Sequence, residues 1–180
     1  MEPGPESADA NAGGRFTRGR LLVATPDLRD PNFARTVVLM LEHSEEGALG
    51  VVLNRPTDVP VRDVLPDWGL ACAAPACLFV GGPVQPDAAI ALGRGPDGFG
   101  PVDLDGDPDA YADVRVFLGY AGWAAGQLEL ELAAGGWLVL DQAEDDASTS
   151  DPSELWRTVL RRQGGRVAMF ALAPEDPSLN

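Results

Sequence analysis

Apolar residues along this chain fall into short runs separated by glycine, proline and acidic residues, and the period of the runs changes along the chain. Leu21 to Ala24 is a continuous apolar run of strand length, closed by Thr25-Pro26-Asp27 and then Asp30-Pro31. Thr36 to Leu41 is aliphatic and β-branched, the composition of a strand buried on both faces. Glu45-Glu46-Gly47 makes a turn, and Val51 to Leu53 is the returning strand of a hairpin. Val61, Val64 and Leu65, three and four apart, predict a short helix over Pro60 to Leu65 that Pro66 stops. Leu78 to Val80, Ala88 to Leu92, Val114 to Leu118, Trp137 to Leu140 and Val167 to Leu172 are further predicted strands. Residues 93–113, rich in Gly, Pro and Asp, read as a mobile loop, and Gly119 to Trp123 as a junction leading into a helix.

Two longer helices are expected. One runs to Ala134, with Leu128 and Leu132 on one face and Glu129 and Glu131 directed elsewhere, and Gly135-Gly136 ends it. The other has full boundary chemistry. Asp151 is placed to N-cap, Pro152 at the first helical position and Glu154 at the capping-box position. Leu155/Val159 and Trp156/Leu160 are spaced to share its buried side, Arg161 and Arg162 suit the dipole, and Gly164 terminates it. Strands dominate the first half and alternate with helices only in the second. The pattern predicts an α+β domain, a layered β/α/β arrangement on a mostly antiparallel or mixed sheet.

Composition narrows the functions. The chain has 180 residues, 45% of them hydrophobic, enough for one domain with its own core. Residues 1–14 read as a disordered acidic tail, and 15–180 as the domain. All 13 basic residues are arginine. Without lysine there is no P-loop phosphate contact and no Schiff-base chemistry. The net charge of -15 disfavours direct nucleic-acid binding, which needs a positive field. The start of the chain lacks a basic-then-apolar export signal. The uncharged run from Trp68 to Pro86 is broken by Pro75, Gly81, Gly82 and Pro83, so no membrane span is expected. A cytoplasmic location is the resulting expectation. Cys72 and Cys77 read as buried, reduced thiols, with a redox pair as the alternative although the spacing is not C-x-x-C, and two thiols with one histidine make a poor zinc set.

Several motifs suggest chemistry. Gly93-Arg94-Gly95-Pro96-Asp97-Gly98 matches a dinucleotide fingerprint, but Phe99-Gly100-Pro101 follows where a helix N-terminus is required. Asp103, Asp105, Asp107 and Asp109 alternate like calcium ligands, yet Pro108 and Val114 occupy the positions of the required Gly and Glu. His43 is the single histidine, open to a structural role or to general-base chemistry. Ser44 points to the opposite face of its strand. Asn54-Arg55-Pro56 either closes a turn or offers a guanidinium to an anion. Gly81-Gly82-Pro83-Val84 either turns a strand corner or lets a ligand approach the backbone.

Taken in order, Leu21-Leu22-Val23-Ala24-Thr25-Pro26, Asp30-Pro31-Asn32-Phe33, the strand ending at His43, Gly47-Ala48-Leu49-Gly50, Asn54-Arg55-Pro56, Phe79-Val80-Gly81-Gly82-Pro83-Val84, Gly119-Tyr120-Ala121-Gly122-Trp123 with Gly126-Gln127-Leu128, and Trp137 resemble the YqgE/AlgH family of bacterial proteins. The likeness spans residues 19–172. It implies a compact α/β fold with strands on both sides of helices, no cofactor and no established catalytic residues. One branch of that family carries a transcriptional-regulator label. The matching polar positions are Thr25, Asp30, His43, Asn54, Arg55 and Gln127. With Gly81 and Gly82 they make the expected binding cleft, for a small polar or anionic ligand or a protein partner. The expected function is non-enzymatic binding or regulation. One alternative is a hydrolase or transferase using His43 as base with Asp30 or a nearby acid. The other is a nucleic-acid-binding regulator acting through a local arginine patch.

Overall fold

The apolar runs of the first half become neighbouring strands of one sheet. β1 (Leu21–Ala24), β2 (Val37–Ser44) and β3 (Gly47–Val52) are antiparallel, with Leu21 opposite Leu39 and Val38 opposite Val52. The turn at Glu45-Glu46 joins β2 to β3, and the register shifts between Met40 and Glu42. The structure is a computed structural model that describes residues 16–175, so the acidic segment expected at 1–14 lies outside the described residues.

Two further strands flank this group. β9 (Trp137–Leu140) pairs with the outer edge of β1. The C-terminal part of β8 (Ala112–Ala124) pairs with β3, Gly47 opposite Ala124 and Gly50 opposite Ala121. The N-terminal part of β8 belongs to a second group. There β5 (Cys77–Val80) runs parallel to it and β6 (Val84–Gly95) antiparallel. β4 (Pro56–Pro60) lies outside β5, and β7 (Gly98–Pro101) outside β6. The one long strand thus carries both halves of a nine-stranded mixed, mostly antiparallel sheet. The fold class is α+β, as the sequence predicts.

Burial follows the side-chain alternation of strands. Leu21, Val23, Val37, Leu39, Val51 and Leu53 enter the principal core, where they meet Phe79, Leu92 and Phe117 from the other half of the sheet. Helix α3 (Leu155–Gln163) joins them through Leu155, Trp156, Val159 and Leu160. Leu22, Val38, Met40 and Val52 point the other way, toward Ala121, Trp123, Trp137 and Leu128 of helix α2 (Gln127–Ala133). Covering both faces explains why β1 and β2 are apolar without alternation. Helix α1 (Val61–Val64) packs Val61 with Trp68, Leu78 and Val116 in a third cluster.

Gly81-Gly82 is a strand corner. β5 and β6 pair with the same stretch of β8, and the link between them crosses the β8 backbone. Gly81 N–H donates to the Leu118 carbonyl, and the Gly81 carbonyl accepts from Val52 N–H, at 2.8 Å each. A Cβ at Gly82 would lie 2.1 Å from the Tyr120 carbonyl carbon, and one at Gly81 would lie 2.3 Å from the Gly119 oxygen. Backbone occupies the space that a ligand would need.

Four expectations are corrected. Val167 to Leu172 is helical: α4 (Gly165–Met169) continues into a 3-10 turn, Phe170–Leu172. Val167, Phe170 and Ala171, three and four apart, all meet the principal core, and only one β-branched residue was there to favour a strand. Residues 93–113 are not a single loop. Gly95 pairs with Gly98 in the β6–β7 hairpin, so the chain returns as a strand where a dinucleotide site needs a helix. Asp103 and Asp107 each accept a backbone N–H two residues on, from Asp105 and Asp109, and so close their own turns. Gly119 to Trp123 continues β8. At the last helix Pro152 starts a 3-10 turn, and Glu154 lies 3.8 Å from Arg157 instead of closing a capping box.

Candidate binding groove

His43 lies near the end of β2 with its side chain 1% exposed. Nδ1 accepts the Thr17 backbone N–H at 3.0 Å and lies 2.9 Å from Thr17 Oγ1. A backbone N–H can only donate, so the ring proton sits on Nε2, which donates to Glu129 Oε1 at 2.8 Å. The Phe16 ring packs edge-on against the imidazole, 5.1 Å between centroids. Neither ring nitrogen has a free lone pair for a substrate proton. Asp30 precedes the opposite end of β2, where Oδ1 accepts Asn32 N–H. The two do not form an acid–base pair. His43 instead fastens α2, through Glu129, and the Thr17 segment to β2.

The other polar motif residues do comparable structural work in different places. Thr25 Oγ1 donates to the Gly135 and Gly136 carbonyls, tying the end of β1 to the turn after α2. Gln127 Oε1 accepts Ala124 N–H at the entry to α2. Asn54 extends the β2–β3 pairing with its amide: Oδ1 accepts Val37 N–H and Nδ2 donates to Arg35 O. Arg55 donates to the Asn32 carbonyl at 2.7 Å and the Pro31 carbonyl at 2.9 Å, holding the loop before β2. Partial burial lowers its guanidinium pKa, while Asp30 opposes that shift. Arg55, Gly82 and Asn32 border one small recess of about 50 Å³, so the expected cleft draws together Arg55, Gly82 and the loop of Asp30, but not Thr25, His43 or Gln127.

Sequence reasoning missed Arg115. It is 2% exposed, on a β8 stretch that otherwise reads as purely apolar. Its guanidinium lies 4.4 Å from the Phe79 ring centroid and donates to the Ala74 and Thr149 carbonyls at 2.8 and 2.9 Å. Weaker bonds reach Ala73 and Ala147. It staples two loops to the sheet through carbonyl dipoles. Burial lowers its pKa, and the neighbouring Cys77, Cys72 and Asp113 oppose that. Other arginines are committed to acids: Arg162 to the buried Asp146 at 2.7 Å, Arg20 to Asp141, and Arg94 to Asp113 and Glu144. These pairings leave little basis for an arginine patch.

A much larger recess contains none of the residues expected in the cleft. It holds about 500 Å³ between β2–β3 and the β6–β7 hairpin. Leu39, Leu41 and Leu49 form one wall, Ile90, Leu92 and Phe99 the other, with Arg18 and Gln142 also lining it. Leu39 and Leu92 are buried members of the principal core, and Leu41, Ile90 and Phe99 are partly buried against it. Its position depends on the bulge in β2: alternation alone would put Leu39, Leu41 and His43 on one face, and the register shift between Met40 and Glu42 turns His43 to the α2 face while Leu39 and Leu41 stay on the other. No group of three or more potential metal ligands converges anywhere among the described residues, and no helix there is long and apolar enough to cross a membrane.

Comparison with known proteins places this architecture. Residues 21–168 match the family described as DUF179, AlgH-like. A UPF0301 protein of Streptomyces coelicolor is 50% identical over 182 residues, covering 90% of this chain and 94% of the relative. A UPF0301 protein of Mycobacterium leprae is 41% identical, covering 98% and 96%. The crystal structure of a Corynebacterium diphtheriae protein superposes with a TM-score of 0.81 at 29% identity, covering 95% of this chain and 94% of the other. The solution structure of AlgH from Pseudomonas aeruginosa gives a TM-score of 0.63 at 26% identity, covering 98% and 100%. The chain belongs to the AlgH-like family.

Proposed function

We propose that this protein acts by binding, without catalysis, and that its partner lies in the groove between β2–β3 and the β6–β7 hairpin. The observation that carries this reading is the groove itself: an apolar-walled space of about 500 Å³, within the size range of ligand sites, lined by β2–β3 on one side and the β6–β7 hairpin on the other. Two facts support the absence of chemistry there. The lining residues include no histidine, cysteine or serine. His43, the one imidazole, has both nitrogens engaged on the other face. The net charge and the paired arginines favour an apolar contact with a protein or small molecule over nucleic acid.

The test uses Nile red, an uncharged dye whose fluorescence rises in apolar sites. The wild-type protein is expected to enhance it at temperatures well below unfolding. Phe99→Ser and Ile90→Glu are expected to remove the enhancement while far-UV circular dichroism stays unchanged. Equal enhancement by wild type and both variants would contradict the groove assignment.

A further inference from the structure

The groove does not stop at its apolar walls. A second recess of about 440 Å³ adjoins it, and the two share Glu42 and Leu49. The second is bordered by Glu42, Ser44 and Glu46 from β2 and its turn, and by Val84, Tyr120 and Gly122. Register places these on one face. Glu42 pairs with Leu49, Ser44 with Gly47, and Leu49 in turn with Gly122. Gly122 adds no side chain to the floor beside the Tyr120 ring. The surface is therefore continuous along β2–β3, apolar at one end and acidic beside an aromatic ring at the other.

Among the described residues the Glu42 and Glu46 carboxylates have no hydrogen-bonded or ion-paired partner, and both residues are exposed. Other acids show the contrast: Asp141, Asp113, Glu144 and Asp146 are each paired with an arginine. Among the described residues Arg18 is the one cation lining either recess, in the apolar part. Two free carboxylates beside a tyrosine face suit a guanidinium or ammonium, through charge-assisted hydrogen bonds and cation–π contact.

We infer that this continuous surface binds an extended peptide segment of a partner protein, with aliphatic side chains in the β2–β3/β6–β7 groove and an adjacent arginine or lysine between Glu42, Glu46 and Tyr120. The inference rests on the groove reading above and adds the partner's chemistry. Charge complementarity selects the peptide: the chain's net charge of -15 steers cationic segments to it and repels acidic ones. An apolar anchor beside a basic residue is also how short segments gain both affinity and register.

The experiment pans a random peptide display library on the immobilised full-length protein and then measures the selected peptides by fluorescence anisotropy. Aliphatic residues next to Arg or Lys are expected. The double variant Glu42→Gln/Glu46→Gln should weaken them about threefold to tenfold, as exposed charge pairs do, with added salt having the same sense. Phe99→Ser should weaken them further, and both variants should keep the wild-type melting temperature within a few degrees. Selected peptides that are apolar, without basic residues, and insensitive to the double variant but lost with Phe99→Ser would overturn this inference and leave the groove reading standing. Peptides indifferent to Phe99→Ser, or no selection at all, would overturn both.

Discussion

The two faces of the β2–β3 ribbon differ in a way that reverses their appearance in sequence. On the α2 face, polar residues tie elements together: His43, Thr17 and the partly buried Glu129 form a hydrogen-bonded set, with Thr25 at the turn after α2. That face is closed, and each polar atom satisfies another. On the opposite face, Leu39, Leu41 and Leu49 leave a groove open, with the Glu42 and Glu46 carboxylates, which have no partner among the described residues, at one end. The difference teaches that conspicuous polar residues in this fold report where the chain is tied together. The space for a partner lies where the sequence is plain.

The comparison can be broken by substitutions that should separate stability from binding. The largest effect is expected at the corner shared by both faces. Gly82→Val forces side-chain atoms onto the Tyr120 backbone and should prevent a cooperative fold, read as loss of a thermal transition. Arg115→Met leaves the Ala74 and Thr149 carbonyls without their donor and should cost about 3–5 kcal/mol, seen as a lower denaturant midpoint with an unchanged slope.

His43→Ala should come next, at about 1–3 kcal/mol, because it orphans Thr17 N–H and the Glu129 contact. Dye and peptide binding in the groove should persist. Phe99→Ser should cost less stability than His43→Ala, since Phe99 is only partly buried on the edge strand β7, yet it should abolish groove binding. The smallest change is expected for Glu42→Gln/Glu46→Gln, within about 0.5 kcal/mol per site in stability, with its effect confined to cationic partners.

How much of this was legible in the sequence depended on local rules. The strands at Leu21–Ala24 and Trp137–Leu140 and the stop of α3 follow from run length and Gly164, which act within a few residues. The helical 165–172 segment was misread because Val-Ala-Met-Phe-Ala-Leu is apolar throughout, and a short apolar run carries no period of its own. The corner at Gly81-Gly82 was one of two readings, and only the crossing over β8 decides between them. The site was least legible. Arg115 is a single charge in an apolar run, and its carbonyl partners come from residues 32 to 42 positions away. The groove pairs Leu39 and Leu41 with Ile90 and Phe99, a contact set by how the two sheet halves sit on β8 and written nowhere in local pattern.

The most direct measurement is the pair of readings, melting temperature and dye enhancement, on His43→Ala and Phe99→Ser made side by side. The structural role of the polar motifs predicts that His43→Ala melts well below wild type while its groove still binds, and that Phe99→Ser melts closer to wild type and has lost binding. A His43→Ala protein with normal stability and no binding, beside a Phe99→Ser protein that binds normally, would contradict it.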